Sequence, residues 1–405
     1  MVVFMSSPSI FKSISTSLLV ILSLSYAVAQ GIPETNLLEC INDTSNLTDD
    51  LFPHKVEPLH SDHWTITYHG TYKVVTNKEK NVSYLLYQCG TTPPESEDGN
   101  HLMNIPVPLQ DGIGLTQTTY IPHIELLGKR TDISYIGNPQ FISSPCLNEL
   151  IHNDEAIEVV DGFNSTAVDA WLAAHPTSVI LSNPWTDPTL PGRMIISESS
   201  ETASNKAVFE WHKVYAALYN LEHMGNKIFQ ETSDRYDCVS ANTGIQESDK
   251  EKPTVLWASY IDYYDSWSNT TTIGWSLGFC PNYYCEFASD CHATFMIPDE
   301  GKKGSLDCWG RPCMTDDEFF EFAKNADHWI YPSNNFNDVY SQKKDMLDKL
   351  PTVINQQVFD TYGSGANSWF EQRMAEYGRF NHWNVLKKFP CTILITRNCI
   401  LFFKF

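Results

Sequence analysis

Hydrophobic residues recur at helical spacing through residues 202–236. A stripe of apolar positions three or four residues apart is typical of a helix with one buried face. No proline interrupts the pattern, and Gly225 should only weaken the helix. The pattern therefore predicts one near-continuous helix that contacts the parts of the chain on both sides of it. The apolar positions are Val208, Trp211, Tyr215, Leu218, Tyr219 and Ile228, with Leu221 and Met224 on adjoining faces.

Upstream, the pattern changes to the alternation of apolar and polar residues that indicates β-strands. Strands are predicted at residues 65–69, 72–76 and 84–88, with a turn at Gly70 between the first two. Residues 30–104 are therefore expected to form an N-terminal β-rich region.

Short apolar runs then alternate with helical patterns on both sides of the long helix. Strands are predicted at residues 133–136, 157–160, 178–181, 254–261 and 328–331, and helices at residues 120–127, 165–175 and 316–326. Thr315 and Glu318 form a capping-box pattern at the start of the last helix. This rhythm predicts an α/β fold with two Rossmann-like lobes, at residues 105–201 and 237–380, joined by one spanning helix. Residues 381–405 form an atypical basic tail.

Residues 1–29 have the features of a signal peptide. Lys12 gives the positive flank, residues 18–24 are apolar, and residues 27–29 match a small-residue cleavage site. The apolar run is short for a membrane span, although a retained anchor is the alternative. We therefore expect a secreted or cell-surface protein. Its formal net charge of −22 argues against binding to nucleic acid or anionic lipid and is compatible with neutral or cationic ligands.

The chain has 11 cysteines, which in an exported protein predict disulfides. Five of them crowd one segment: Cys280, Cys285, Cys291, Cys308 and Cys313. Zinc binding is the alternative, but the spacings between these cysteines do not match those usual in a zinc knuckle. Cys308 and Cys313 flank a turn-like spacer and are the easiest pair to join. Cys40, Cys89, Cys146 and Cys238 are expected to bond elsewhere, and the odd total leaves at least one thiol unpaired in a monomer.

Five Asn-x-Ser/Thr sequons are candidate glycosylation sites and should mark exposed loops. They begin at Asn42, Asn46, Asn81, Asn164 and Asn269.

Motifs for catalysis are weak. The chain has no Gly-x-Ser-x-Gly nucleophile motif, and a partial dinucleotide motif at residues 112–117 ends in Gln117 in place of glycine. His212 and His223 share a face of the predicted helix, but they would lie about 16 Å apart and could not bind one ion. We therefore expect no enzymatic activity and no intrinsic cofactor.

Two clusters of hydroxyl and aromatic residues are the candidate ligand site. Thr118, Thr119 and Tyr120 lie where a strand meets a helix, the usual ligand-binding edge of a doubly wound sheet. Trp257, Tyr260 and Trp267 lie in or after the first strand of the second lobe and could stack on a planar or chelated ligand. Ordinary core packing is the alternative for each of them. His292, beside Asp290, is the best metal-contact candidate.

Several local segments look familiar in their order and spacing. They are residues 121–128 (IPHIELLG), 143–146 (SSPC), 210–213 (EWHK), 252–257 (KPTVLW) and 369–371 (WFE). Together they resemble eukaryotic secreted relatives of class III periplasmic binding proteins, the helical-backbone metal-receptor group. The resemblance covers residues 105–376 and implies a monomeric solute-binding protein without catalysis. Its implied ligand is a metal chelate, a haem-like compound or a corrinoid.

Departures from that family pattern occur at residues 290–293, where a glycine-rich turn is expected, and after Glu376, where a final packed helix is expected. The tail could therefore be a gene-model artefact. Two other classes stay open from the sequence: a secreted hydrolase with dispersed catalytic residues, and a disulfide-stapled surface glycoprotein. A binding module should have an interlobe cleft without an assembled nucleophile and base, whereas a hydrolase needs that geometry. The sequence does not identify a transporter or receptor partner.

Overall fold

The structure is a computed structural model. It describes residues 35–42, 50–94, 101–153, 157–160, 164–201, 204–245, 252–265, 269–299, 303–308, 311–362, 367–376 and 403–404. The predicted signal peptide, Asn46, Trp267 and nearly all of the tail lie outside these residues. In the described part of the chain, no helix is long and apolar enough to cross a membrane.

The N-terminal region forms a four-stranded sheet in the order β1-β2-β3-β4. Strands β1 to β3 are antiparallel, and β4 is parallel to β3. The three strands predicted here are confirmed. Strand β4 continues to Val107, so the predicted boundary at residue 104 falls within a strand. The bounds are β1 Trp64–His69, β2 Tyr72–Asn77, β3 Val82–Gln88 and β4 His101–Val107.

The first lobe is built on a five-stranded parallel sheet in the order β7-β6-β5-β8-β9. The chain winds from β5 through β6 to β7, and then starts again on the other side of β5 with β8. The gap between β5 and β8 is therefore a topological switch point, where parallel sheets usually bind ligands. The elements are β5 Ile113–Leu115, α1 Ile121–Leu126, β6 Ile133–Gly137, α2 Pro145–Asn153, β7 Glu158–Val160, α3 Ser165–Ala174, β8 Val179–Ser182 and β9 Arg193–Ile195.

The predicted single spanning helix is wrong, because the segment forms three helices. These are α4 Asn205–Glu210, α5 His212–Leu218 and α6 Glu222–Ile245. The chain turns at Asn220, which has a left-handed φ of 55°. Tertiary contacts fix this turn, because the Asn220 amide donates to Leu37 O (2.6 Å) and Gln88 Oε1 (2.8 Å). Its Oδ1 accepts from Lys73 Nζ at 2.8 Å. Helical periodicity did not reveal these partners.

The second lobe has a mixed sheet in the order β11-β10-β15-β16-β17, with β12 also paired to β10. Strands β12, β10, β15 and β16 are parallel, and β11 is antiparallel to β10. The switch point of this lobe lies between β10 and β15. The elements are β10 Thr254–Asp265, β11 Thr270–Leu277, α7 Tyr283–Asp290, β12 Thr294–Phe295, β13 Leu306–Cys308, β14 Arg311–Cys313, α8 Asp316–Ala323, β15 His328–Tyr331, α9 Phe336–Leu347, α10 Pro351–Ile354, β16 Val358–Asp360, α11 Ser368–Glu376 and β17 Phe403–Lys404.

The hydrophobic core of the first lobe is shared with the N-terminal sheet. Trp64 and Tyr84 of that sheet, Leu115 of the first lobe and Tyr215 of α5 belong to one buried cluster. Every residue of α5 is buried, as expected for a central helix enclosed on all sides. The second lobe has separate clusters on the two faces of its sheet. The chain is therefore a two-lobed α/β protein whose N-terminal sheet is part of the first lobe.

Disulfides are confirmed for Cys280–Cys285 and Cys308–Cys313, and a further bond joins Cys40 to Cys89. Cys238 and Cys291 are also disulfide-bonded. Cys146, expected to bond, is instead free and exposed, because it lies in the first turn of α2 on the solvent side.

Sequon asparagines in the described residues are exposed, as predicted: Asn42, Asn81, Asn164 and Asn269. Asn164 caps α3 through Oδ1, which accepts from Ala167 N, and Asn269 Oδ1 accepts from Tyr264 OH. These bonds use the oxygen and leave the amide nitrogen that a glycan would occupy.

Candidate ligand-binding cleft

The switch point of the first lobe is bordered by hydroxyl groups and an exposed tryptophan. Thr116, in the segment after β5, is hydrogen-bonded to strand β8. Its backbone N and Oγ1 both donate to Leu181 O, at 3.1 and 3.2 Å. Thr118 and Thr119 follow in a half-buried 3-10 turn. Trp185, in the loop after β8, has 80% of its surface exposed. The segments that follow β5 and β8, which are neighbouring parallel strands, thus carry hydroxyl groups and an exposed apolar ring.

The switch point of the second lobe is organised around Tyr260. Its backbone N donates to Tyr331 OH (3.2 Å), and its carbonyl accepts from Asn335 Nδ2 (3.3 Å). Tyr331 OH in turn donates to Asn335 Oδ1 at 2.8 Å. Lys343 Nζ lies 4.3 Å from the centre of the Tyr260 ring, within cation–π range. This network holds the half-buried Tyr260 in place after the parallel part of β10.

The carboxyl edges of the two sheets meet at α11. Asn367, seven residues after the end of β16, donates to the carbonyl of Gln140, which follows β6 (3.4 Å). Glu371 of α11 accepts from Ser143 N at 2.9 Å and from Ser143 Oγ at 2.8 Å. Helix α11 also contacts the turn that contains Thr118. The edges that carry the switch points therefore belong to one interlobe region.

The predicted ligand residues are not all brought together. Thr118 and Thr119 lie at the first switch point and Tyr260 at the second, as described above. Trp257 packs on the opposite face of β10 from Tyr260, in a separate cluster with Tyr284 and Trp369. An odd spacing along a strand reverses the direction of the side chain, which accounts for the difference.

Tyr120 is also buried. Only 2% of its surface is exposed, and its ring lies 6.0 Å from that of Tyr215 in the first-lobe core. The expectation that Tyr120, Trp257 and Tyr260 border one cavity is therefore corrected. Trp267 lies outside the described residues.

His292 is half-buried and follows the end of α7 with a left-handed φ of 55°. Its backbone N donates to Ser289 O, as in a helix-terminating turn. In the described ranges, no group of three or more His, Cys, Asp or Glu side chains could hold a metal ion. A metal contact by His292 therefore stays a prediction.

Sequence reasoning missed a buried polar network beside the first switch point. Glu198, which follows β9, accepts from Tyr215 OH at 2.9 Å and lies 3.1 Å from His123 Nε2. His123 Nδ1 lies 3.4 Å from His212 Nδ1. Burial and the neighbouring His123 lower the pKa of His212, which keeps that ring neutral at pH 7. The sequence signal for this network is weak, because Glu198 lies three residues after the end of β9, a strand that the apolar pattern did not predict.

Arg373 of α11 brings a positive charge from the second lobe toward this network. Its Cζ lies 3.7 Å from the centre of the Tyr283 ring. Its Nε and Nη1 are buried without a hydrogen-bond partner among the described residues. Burial lowers the pKa of Arg373, and nearby Tyr283 and Glu198 counter part of that shift. Attraction between Arg373 and Glu198 thus acts across the lobes.

Comparison with known proteins gives structural neighbours only. No protein-family model and no curated protein matches the chain. A possible iron-binding (periplasmic solute-binding) protein from Staphylococcus epidermidis ATCC 12228 is 12% identical, with a TM-score of 0.46 over 66% of this chain and 95% of that chain. The periplasmic haem-binding protein HutB of Vibrio cholerae is 12% identical, with a TM-score of 0.43 over 67% and 98% of the two chains.

These neighbours are periplasmic solute-binding proteins, the class that the sequence resembles. At such identities and TM-scores the likeness assigns neither a ligand nor an activity to this chain. The residues described above must carry any functional conclusion.

Ser61, His63 and Glu201 contain the three residue types of a hydrolase triad in a different order. Ser61 Oγ donates to Glu201, and His63 Nδ1 lies 3.8 Å from Glu201 Oε1. In a working triad, histidine lies between serine and the carboxylate and removes the serine proton. Here the carboxylate lies between the other two, and it also accepts from Trp211 Nε1 at 3.3 Å. The arrangement is therefore that of a contact that stabilises the fold and not that of a catalytic triad.

Titration of Glu371 should make stability depend on pH. Burial raises its pKa to about 7, against the lowering effect of the hydrogen bonds from Ser143 and Ser144. The folded state therefore holds this proton more tightly than the unfolded state. The resulting stability is complete below the unfolded value of 4.5 and is lost as the pH rises through about 7.

We expect Glu371→Gln, which cannot titrate, to reduce the fall in melting temperature between about pH 4.5 and pH 8. Differential scanning fluorimetry across this range measures the effect. Glu321→Gln is the control, because Glu321 is 66% exposed on α8. A pH profile for Glu371→Gln that matches the unsubstituted protein would contradict the prediction.

Proposed function

We propose that the protein is an exported, non-catalytic binding protein that captures a small solute between its two α/β lobes. The observation that carries the proposal is the meeting of the carboxyl edges of both sheets at α11. Each edge has a switch point, and in open α/β sheets ligands bind at such points. Thr118 and Trp185 would contact the ligand from the first lobe, and Tyr260 from the second.

The side chains favour a ligand with a planar or apolar surface and a polar rim. Trp185 exposes 80% of its surface, so a ligand that covers the ring would remove apolar area from water. The threonine hydroxyls can donate and accept hydrogen bonds at the rim. A metal chelate, a haem-like compound or a corrinoid has this character. The net charge of −22 favours neutral or cationic members of the group.

Ligand screening by thermal shift with ferric siderophores, haem and corrinoids tests the proposal. For a compound that binds, we expect Trp185→Ala to raise the Kd about tenfold, because stacking and burial of the ring are lost. Thr118→Val should raise it about 2- to 10-fold through loss of one hydrogen bond.

Leu59→Ala is the matched control, since Leu59 is 66% exposed in the N-terminal region. Calorimetric titration of each variant gives the Kd values. Saturable binding that is indifferent to both Trp185→Ala and Thr118→Val would show that the ligand lies elsewhere. Turnover of a bound compound would contradict the non-catalytic assignment.

A further inference from the structure

A carboxylate of the second lobe is hydrogen-bonded to the first lobe at α11. Glu371 accepts from Ser143 N at 2.9 Å, from Ser143 Oγ at 2.8 Å and from Ser144 N at 3.2 Å. Only 2% of its surface is exposed. The two serines lie between β6 and α2 of the first lobe. These hydrogen bonds therefore cross the interface between the lobes.

A second carboxylate makes the corresponding contact at α7. Glu286 Oε2 accepts from the backbone N of Asn205 and, at 2.7 Å, from Asn205 Nδ2. Asn205 is 1% exposed and begins α4, which leads into the central helix α5 of the first-lobe core. Glu286 is half-buried. Two helices of the second lobe thus each use one carboxylate to hold the first-lobe side of the chain.

Negative charge is in excess around Glu371. Ser144 donates its backbone N to Glu371 and its Oγ to Glu125 Oε1, at 2.6 Å, so the two carboxylates share one serine. Arg130 is the cation beside them, and its Nε already donates to Glu125 Oε1 at 2.6 Å. Burying two carboxylates with one cation is unfavourable unless one of them is neutral.

Other ionisable groups on the elements packed against α11 do not supply the missing charge. His123 of α1 lies 3.1 Å from Glu198, which also attracts Arg373 of α11. Glu210 of α4 accepts hydrogen bonds from the N-terminal region. Burial raises the pKa of Tyr120 well above its usual range and keeps its hydroxyl neutral. Glu371 therefore has only neutral donors.

The surroundings of Glu286 are acidic as well. Lys206 of α4 is the nearby cation, but its Nζ pairs with Asp237 of α6 at 2.6 Å. Asp290, one turn further along α7, adds another carboxylate and accepts from Tyr236 OH. Three carboxylates thus accompany one cation where α7 packs on α4 and α6.

Both carboxyl groups are poised to bind a proton. Burial raises the pKa of Glu371 to about 7 and Glu125 adds to the effect, against the hydrogen bonds from the serines. Burial also raises the pKa of Glu286 to about 6, with a contribution from Asp290 and against the bonds from Asn205. Proton uptake therefore removes the charge that makes these contacts costly.

Protonation can leave the contacts in place. Both bonds from Asn205 end on Oε2, so Oε1 of Glu286 can carry the proton. At Glu371, Ser143 Oγ can change from donor to acceptor, because a hydroxyl group serves as either. Acid thus relieves the buried charge without removing the groups that join the lobes.

We propose that Glu371 and Glu286 form an acid-tightened clasp, which holds the two lobes together more firmly at acidic than at neutral pH. Its contribution is complete below 4.5, and it is lost as the pH rises through about 6 at Glu286 and about 7 at Glu371. The clasp concerns the contact between the lobes and does not depend on which solute the cleft binds.

Amide hydrogen exchange of the ligand-free, full-length protein tests each half of the clasp, because backbone amides are its donors. After correction for the intrinsic effect of pH, protection of Ser143 N and Ser144 N should be about tenfold or more higher at about pH 5.5 than at pH 8. Protection of Asn205 N should be about 2- to 5-fold higher, since the pKa of Glu286 is raised less.

The two halves serve as matched controls for each other. Glu371→Gln should abolish the pH dependence at Ser143 and Ser144 and leave that at Asn205, and Glu286→Gln should do the reverse. Protection that is equal at both pH values, or higher at pH 8, would overturn the proposal. So would pH dependence that persists at the serines in Glu371→Gln and at Asn205 in Glu286→Gln, because other groups would then cause it.

Discussion

Replacing Lys73 with methionine is expected to lower the free energy of unfolding by about 3–5 kcal/mol, because it leaves a carboxylate buried without its cation. Lys73 Nζ donates to Glu222, and both side chains have no exposed surface. Among the described residues, Glu222 would retain only neutral donors, such as Asn36 Nδ2 at 2.7 Å. Chemical denaturation monitored by tryptophan fluorescence measures the loss.

Two further variants distinguish the cost of burying an unpaired charge from nonspecific destabilisation of the fold. Lys73→Met with Glu222→Gln should recover part of the stability, since no uncompensated charge remains. Lys55→Met should change it by less than about 1 kcal/mol, because the Lys55–Asp50 pair is about half exposed. If Lys73→Met were no more costly than Lys55→Met, the buried pair would not be a major contributor to stability.

Trp257→Ala is expected to cost about 3–5 kcal/mol of stability, the usual range for truncating a buried tryptophan. Trp257 is 7% exposed, and its ring lies 5.1 Å from Tyr284 and 6.1 Å from Trp369. Truncation would leave a cavity between β10, α7 and α11. Denaturation curves for the variant give the free energy directly.

Trp185→Ala is a control of the same residue type, and its stability should change by no more than about 0.5 kcal/mol because Trp185 is 80% exposed. Equal stabilities of the Trp257→Ala and Trp185→Ala variants would contradict the core assignment of Trp257. The two variants also distinguish an effect on ligand binding from an effect on stability. Loss of ligand binding in Trp185→Ala reports on the cleft, whereas loss in Trp257→Ala includes damage to the second lobe.

Local sequence rules predicted much of the fold. The alternation at residues 65–69 and 72–76 became β1 and β2, and the apolar run at residues 328–331 became β15. The capping box of Thr315 and Glu318 is present at the start of α8. These elements were predictable because neighbouring residues determine them: strand alternation and capping are short-range effects.

The turn at Asn220 and the cleft depended on distant contacts. Asparagine tolerates left-handed φ, which is a weak sequence signal, but the partners of Asn220 come from residues 37, 73 and 88. The separation of Trp257 from Tyr260, in contrast, was predictable from the sequence, because an odd spacing along one strand already implies opposite faces. Trp185 had a usable signal as well, since it lies in a proline-containing loop directly after a predicted strand.

The shared core has a consequence for where this chain could be cut. Trp64 and Tyr84 pack in the same cluster as Leu115 and Tyr215, so the N-terminal sheet forms a wall of the first lobe. A fragment that begins after β4 would expose buried side chains of this cluster to water. A soluble fragment of the first lobe therefore needs the N-terminal strands as well as α5.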